Sequence, residues 1–232
     1  MKIAVFGTGP VGQALADKLD ELGHEVTVGT RDPEATLART EPDYMGKPPF
    51  KAWQGTHPGV ALATPGEAAA GAELLVNATN GAGSLAMLEA AGEQNLAGKV
   101  VIDVANPLDF SQGMPPSLLV CNTDSLGEQI QRTFPHAKVV KALNTMNCEV
   151  MVDPATVPGE HDVFLSGDDA EAKHRVGELL QSFGWPAERI RDLGDISSAR
   201  GLEMYVAFWL RLWGALETGY FNIAVVQAAE SS

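Results

Sequence analysis

Near the amino terminus, Gly7-Thr8-Gly9-Pro10-Val11-Gly12 spaces three glycines as G-x-G-x-x-G. The pattern alone is weak. Here it follows a short apolar run, Lys2–Phe6, opens a helical pattern, and is followed by a second apolar strand. In that context it reads as a dinucleotide-binding turn. Gly7 makes the tight turn, Gly9 lets the backbone approach a pyrophosphate, and Gly12 lets helix and strand pack closely. Pro10 suits a first helical turn, where its missing N–H would have no intrahelical partner. The free amides of Val11 and Gly12, with the helix dipole, supply positive potential for a phosphate.

The end of the second strand, Val28-Gly29-Thr30-Arg31-Asp32-Pro33, bears on which dinucleotide is bound. NAD sites place a carboxylate there for the ribose 2′-hydroxyl. Thr30 occupies that position, and a hydroxyl beside the Arg31 guanidinium suits a 2′-phosphate, which arginine can grip with two parallel hydrogen bonds. Asp32 is a competing signal for NAD. Its other reading is a helix N-cap, with Pro33 at the first helical position.

Reduction of a carbonyl or imine needs a proton donor, often His, Lys or Tyr. His24, His57, His136, His161 and His174 all fall away from the C-terminal ends of the expected strands, where sites in such sheets form. No lysine follows Lys173, and Tyr205 and Tyr220 read as packing residues on the last helix. No catalytic side chain is therefore assigned. Asn77, Thr79, Asn106, Asn144 and Asn147 are uncharged polar groups suited to orienting a carboxamide or a ring edge; capping turns is their alternative role. Hydride transfer between two planar rings depends on alignment more than on acid–base help. Cys121 and Cys148 give neither a disulfide framework nor a metal-ligand spacing. No metal site is expected.

These residues need a scaffold that brings distant turns together. Strands are expected at Lys2–Phe6, Glu25–Val28, Val60–Ala63, Leu74–Ala78, Lys99–Val104, Lys138–Leu143, Asp162–Ser166 and Arg189–Leu193. Between them, helical spacing covers Val11–Leu22, a short stretch near Pro33–Arg39, Pro65–Ala70, Ser84–Ala91, Ser125–Phe134 and Asp169–Phe183. Residues 40–57 and Asn106–Asn122 read as loops. The last element is a long apolar helix, roughly Ser197–Gln227, within a C-terminal segment 195–228. Alternating strands and helices imply an α/β fold of Rossmann type: a doubly wound, mostly parallel sheet with a small C-terminal helical extension. No Gly/Ser-rich linker appears, so residues 1–232 read as one NADP-binding domain.

The chain has 232 residues and a formal net charge of −14, which argues against nucleic acid or an anionic membrane as partner. No run approaches the length of a membrane span, and the short apolar stretch before Gly7 does not read as a signal peptide. A cytoplasmic location is the expectation.

Gly7–Gly12, Gly23-His24-Glu25-Val26 and Gly29-Thr30-Arg31 resemble the NADPH-dependent coenzyme F420 reductase family. More distant relatives of that family are the cytoplasmic oxidoreductase domains of eukaryotic metalloreductases. The likeness continues through Val139-Val140-Lys141-Ala142-Leu143-Asn144-Thr145-Met146, Ser166-Gly167-Asp168-Asp169 and Arg200-Gly201-Leu202-Glu203…Phe221-Asn222. It implies an NADP cofactor, with Gly7, Thr8, Gly9, Pro10, Val11 and Gly12 at the pyrophosphate and Thr30 and Arg31 at the 2′-phosphate. It also implies that Ala78, Thr79, Asn80, Ala105 and Asn106 border the nicotinamide. Asn144, Thr145 and Met146 would line the face where a second redox partner stacks. The family carries a further cation after the arginine, where this chain has Glu34-Ala35-Thr36, and a more apolar residue at Asn147.

The resulting expectation is an oxidoreductase moving hydride between NADP(H) and a deazaflavin (F420) or flavin-type acceptor. The alternative is a non-catalytic NADP-binding redox sensor. An anionic deazaflavin calls for cations, and Lys51, Lys138, Lys141 and a few arginines are the candidates. The run Met204–Leu210, with Leu212, Trp213 and Leu216, is apolar on all sides, which predicts a homodimer through the C-terminal helix, with Trp209 and Trp213 on one face as anchors.

Overall fold

The computed structural model describes residues 1–42, 46 and 48–228. Strands β1 (Lys2–Phe6), β2 (Glu25–Gly29), β3 (Ala61–Ala63), β4 (Leu74–Asn77) and β5 (Val100–Asp103) alternate with helices α1 (Pro10–Glu21), α2 (Pro33–Ala38), α3 (Phe50–Thr56), α4 (Pro65–Gly71), α5 (Ser84–Ala91) and α6 (Glu93–Leu96). A two-residue hairpin, β6 (Leu108–Asp109) with β7 (Ser117–Leu118), precedes α7 (Leu126–Thr133) and β8 (Lys138–Ala142). Then come α8 (Cys148–Val152), β9 (Val163–Ser166), α9 (Ala170–Ser182), β10 (Ile190–Asp192) and α10 (Ala199–Leu216).

The main sheet has eight strands in the order β10-β9-β8-β5-β4-β1-β2-β3. From β3 to β8 every pairing is parallel. These strands read as continuous apolar runs because helices cover both faces. Ile3 and Val5 of β1 join the cluster beneath α1, α3, α8 and α9, while Ala4 and Phe6 join the one beneath α4, α5 and α7. The order reverses at β1, between β2 and β4, so that point and the C-terminal strand ends define where a ligand crevice forms.

Two features depart from the sequence reading. First, β9 pairs antiparallel with β8, and β10 runs parallel to β9. The intervening α8 has five residues, too few to carry the chain back along the sheet, so the strand returns directly. Second, α10 ends at Leu216 rather than running to residue 227 or 228. Glu217 takes a left-handed φ of 55°, and the tail then runs back across the molecule. The Asp162 amide donates to the Ile223 carbonyl at 2.8 Å, and the Val225 amide donates to the Asp162 carboxylate. These partners satisfy backbone groups that a longer helix would have paired internally.

The segments expected as loops hold α3 and the β6–β7 hairpin instead, and α8 forms in a stretch to which no element was assigned. Within the expected loop 40–57, residues 43–45 and 47 lie outside the described residues. Among the described residues no helix is long and apolar enough to cross a membrane.

Candidate functional site

Because β1, β2, β4, β5 and β8 are parallel, the five turns that follow them emerge along one sheet edge. Those turns carry Gly7 to Gly12, Thr30, Arg31, Ala78 to Asn80, Ala105, Asn106 and Asn144 to Met146, and they touch one another. A Cβ on Gly7, whose φ is +124°, would stand 2.4 Å from the Ala78 carbonyl oxygen. The Gly7 amide donates to the Gly29 carbonyl, and the Thr30 amide to that of Ala63. A Cβ on Gly81 would stand 2.2 Å from the Asn106 carbonyl oxygen. Asn106 and Asn144 are bonded twice: Asn106 Nδ2 donates to the Asn144 carbonyl at 2.8 Å, and Asn144 Nδ2 to Asn106 Oδ1 at 2.9 Å.

The glycines of the first turn stand in different surroundings. A Cβ on Gly12 would lie 2.1 Å from the Gly7 carbonyl oxygen, so helix and strand tolerate no side chain there. Gly9 is the N-cap of α1, is exposed, and a Cβ on it would meet nothing within 4 Å. Side chains of Asp32, Ser125, Asn147 and Asp169 cap α2, α7, α8 and α9, but none caps α1. The first-turn amides of α1 therefore face outward beside an open glycine, an anion cradle of the kind a pyrophosphate fits.

Beyond β2, Thr30 Oγ1 shares a 3.0 Å hydrogen bond with Thr36, and Arg31 is exposed. Asp32 accepts from the Ala35 amide at 2.8 Å. Its carboxylate caps α2, which leaves Arg31 as the cationic group of this turn.

Thr79 and Asn106 are half-buried, whereas Asn144, Thr145 and Met146 are buried. Asn144 Nδ2 also donates to the Leu202 carbonyl of α10, at 3.0 Å. Asn144 Oδ1 and Thr145 Oγ1 are buried and lack a protein partner. Acceptor capacity thus remains open at the end of β8, where the turns converge.

Beneath the turns lies a polar cluster that the sequence reading did not assemble. Asn77, Asp103 and Lys141 stand side by side across β4, β5 and β8. Lys141 Nζ lies 2.7 Å from Asp103, 2.8 Å from Glu203 of α10 and 2.6 Å from the Ala105 carbonyl. Asn77 Nδ2 donates to Asp103 at 2.8 Å, and Asn77 Oδ1 accepts from the Thr79 hydroxyl at 2.7 Å. Glu203 accepts from the Leu126 and Gly127 amides at the start of α7. Burial pulls the Lys141 ammonium down, but the two carboxylates outweigh it and hold it above the ordinary lysine range. Burial pushes the Glu203 carboxyl up, against the pull of Lys141, and Asp103 adds to that push. The signal was present in the sequence: the period-2 partners Leu75, Val101 and Val139 face the core, and each is followed two residues later by a polar side chain on the same face.

Three expectations change here. Lys141 is fully buried and cannot meet a ligand directly. Lys138 begins β8 and pairs with Asp169 at 2.9 Å, on the opposite edge of the sheet. His161 does reach the site edge, because β9 runs antiparallel and starts where β8 ends. Its ring faces the Pro154 and Val157 carbonyls and Asn222, and stands edge-on to Trp185, which makes it a packing residue. Among the described residues no cluster of three or more His, Cys, Asp or Glu is placed to hold a metal ion.

Residues 2–107 match the model of the family described as NADP oxidoreductase, coenzyme F420-dependent. A crystal structure from Arthrobacter sp. FB24, provisionally assigned as an F420-dependent NADP reductase, is 60% identical. The match covers 98% of this chain and 100% of that one, with a TM-score of 0.93. The F420-dependent NADP reductase of Methanothermobacter marburgensis is 28% identical over 218 residues, covering 91% of this chain and 92% of that protein. The rat metalloreductase STEAP3 is 27% identical over 212 residues; these cover 91% of this chain but 38% of the relative, so the chain spans about two fifths of that protein's length.

Proposed function

The chain belongs to the family of F420-dependent NADP oxidoreductases, and from that premise we propose that it moves hydride between NADP(H) and a deazaflavin or flavin-type ring. The observation that carries this reading is the α1 N-terminus. It is uncapped and beside the open Gly9, and is joined through Gly7 and Gly29 to the turn bearing Arg31. In this reading the first-turn amides bind the pyrophosphate and Arg31 grips the 2′-phosphate. Thr79, Asn80, Ala105 and Asn106 border the nicotinamide, and Asn144, Thr145 and Met146 lie on the acceptor side. When bound, the cofactor supplies the hydride chemistry; the chain binds, aligns and screens it. The side chains of the rim that meets the rings in this reading, Thr79, Asn80, Asn106, Asn144 and Thr145, are polar and uncharged, with Asp103 and Lys141 buried below them. That composition suits ring-to-ring transfer, in which the protein moves no proton.

Mixing the protein with NADPH and F420, FMN, FAD or a quinone, and following NADPH absorbance, tests the reading. Oxidation with F420 or a flavin supports it. Tight NADPH binding without turnover in any pair would favour the redox sensor.

A homodimer through α10 is part of the same proposal. Met204, Phe208, Trp213 and Leu216 are exposed on α10, and Phe110, Met114 and Leu119 on the segment around β6 and β7. Apolar groups so disposed suit an interface. Trp209 stacks on Phe221 of its own chain at 5.3 Å as well as on Trp213, so Phe208, Trp213 and Leu216 are the better anchors. Light scattering of Phe208→Asp/Leu216→Asp should give a monomer; a wild-type monomer at micromolar concentration would overturn the assignment. We read residues 1–232 as one functional unit in the cytoplasm, a location that suits Cys121 and Cys148, which are not joined in a disulfide.

A further inference from the structure

The cluster beneath the turns carries an unbalanced charge. Asp103 and Glu203 flank one ammonium, that of Lys141, and all three side chains are at most 1% exposed. Donors face every carboxylate oxygen. Asp103 Oδ1 accepts from Asn77 Nδ2 and the Ala105 amide, and Oδ2 from Lys141. Glu203 Oε1 accepts from Lys141 and the Gly127 amide, and Oε2 from the Leu126 amide. Every group facing these oxygens is a donor, so both carboxylates serve as acceptors, although burial works against the Glu203 charge. The formal sum is one negative charge, partly offset by the N-terminal dipole of α7. The neighbouring charged groups on α7 and α10, Glu128 and Arg200, are paired at 2.5 Å and cancel. Hydrogen bonds tie the cluster to the rim: Asp103 reaches Thr79 through Asn77, and Lys141 holds the carbonyl of the residue before Asn106.

We propose that this buried excess charge sets the preference between the two redox forms of the cofactor, favouring the cationic oxidised nicotinamide over the neutral reduced ring. The inference rests on the reading that the nicotinamide lies against the turns bearing Thr79 and Asn106. Both redox forms carry the same adenosine, 2′-phosphate and pyrophosphate, so contacts with those groups cancel in a ratio of dissociation constants. The rings differ in charge and in the hydrogen added at C4, and of these only the charge is felt by groups that do not touch the ring. A charge removed from water acts over longer distances than an exposed one. Asp103 and Glu203 therefore act as specificity determinants without touching the ligand.

The test is the Kd of NADP+ and of NADPH, measured by calorimetry on wild type, Glu203→Gln and Asp103→Asn. The two substitutions remove the same charge from opposite sides of Lys141 through different hydrogen bonds, so either folded variant suffices. Each should weaken NADP+ relative to NADPH by about three- to tenfold, as expected for a unit charge acting through protein. Equal changes in both constants, or a shift toward NADP+, would show the triad to be structural only. A wild type that binds neither form would bring down the functional reading together with this inference. A wild type that binds both, with an unmoved ratio in the variants, brings down the inference alone.

Discussion

Two glycines three residues apart in one turn should fail in opposite ways. At Gly9 a Cβ meets nothing within 4 Å, and the backbone, at φ −80° and ψ −177°, suits any residue. Gly9→Val should therefore fold, losing at most about 1 kcal/mol for the poorer N-cap. Its isopropyl group would fill the space beside the first-turn amides. Losing one charge-assisted hydrogen bond to a phosphate costs about 1.5–3 kcal/mol, or roughly ten- to a hundredfold in affinity. At Gly12 the Cβ would lie 2.1 Å from the Gly7 carbonyl oxygen, and that atom is backbone, so it cannot rotate away. Gly12→Ala should cost about 1–3 kcal/mol of stability or more, by forced displacement of α1 from β1. Urea denaturation separates the stabilities, and NADPH fluorescence titration the affinities. A folded Gly9→Val variant that binds NADPH within threefold of wild type would refute the placement of the pyrophosphate at this helix end.

Arg31→Ala should weaken NADPH by about ten- to a hundredfold in a fluorescence titration and leave NADH nearly unchanged, since only the former carries a 2′-phosphate; equal losses would return the selectivity to another residue. Changing His24, His57, His136, His161 or His174 singly to Gln should leave kcat within about tenfold in any variant that folds, short of the ~10²–10⁴ lost with a general acid. Arg132 beside Asp124 holds that carboxyl down to about 2. With the folded pKa depressed, its stabilisation is present above the unfolded carboxylate range and is lost as pH falls from there through about 2. Asp124→Asn should thus destabilise the protein at neutral pH by no more than about 1 kcal/mol for so exposed a pair, seen as a slightly lower Tm, with the gap closing on acidification; a gap independent of pH would rule out the ion pair as its cause.

Local rules made much of this protein legible in its sequence. The glycine spacing named the β1–α1 turn because the positive φ of Gly7 and the contact of Gly12 with the Gly7 carbonyl are demands made within a few residues. Asp32-Pro33 announced the cap of α2 for the same reason, and continuous apolar runs announced strands covered on both faces. The turns bearing Thr30, Ala78, Asn106 and Asn144 could be gathered at one edge from chain order alone, since parallel strands with crossovers must end together.

What the sequence could not supply were relations between segments far apart in the chain. The reversal at β9 depends on what α8 cannot span, and it moves His161 to the site edge. The end of α10 depends on Asp162, which captures the tail at Ile223 and Val225. Above all, Asp103, Lys141 and Glu203 come from three elements separated by many residues, and only sheet register with helix docking sets them within hydrogen-bonding distance. Read alone, Asp103 and Lys141 are only polar positions on the core face of their strands, and nothing local joins them to Glu203. Burial turns them into a paired cluster, because charges withdrawn from water persist only where opposite charges and donors meet them.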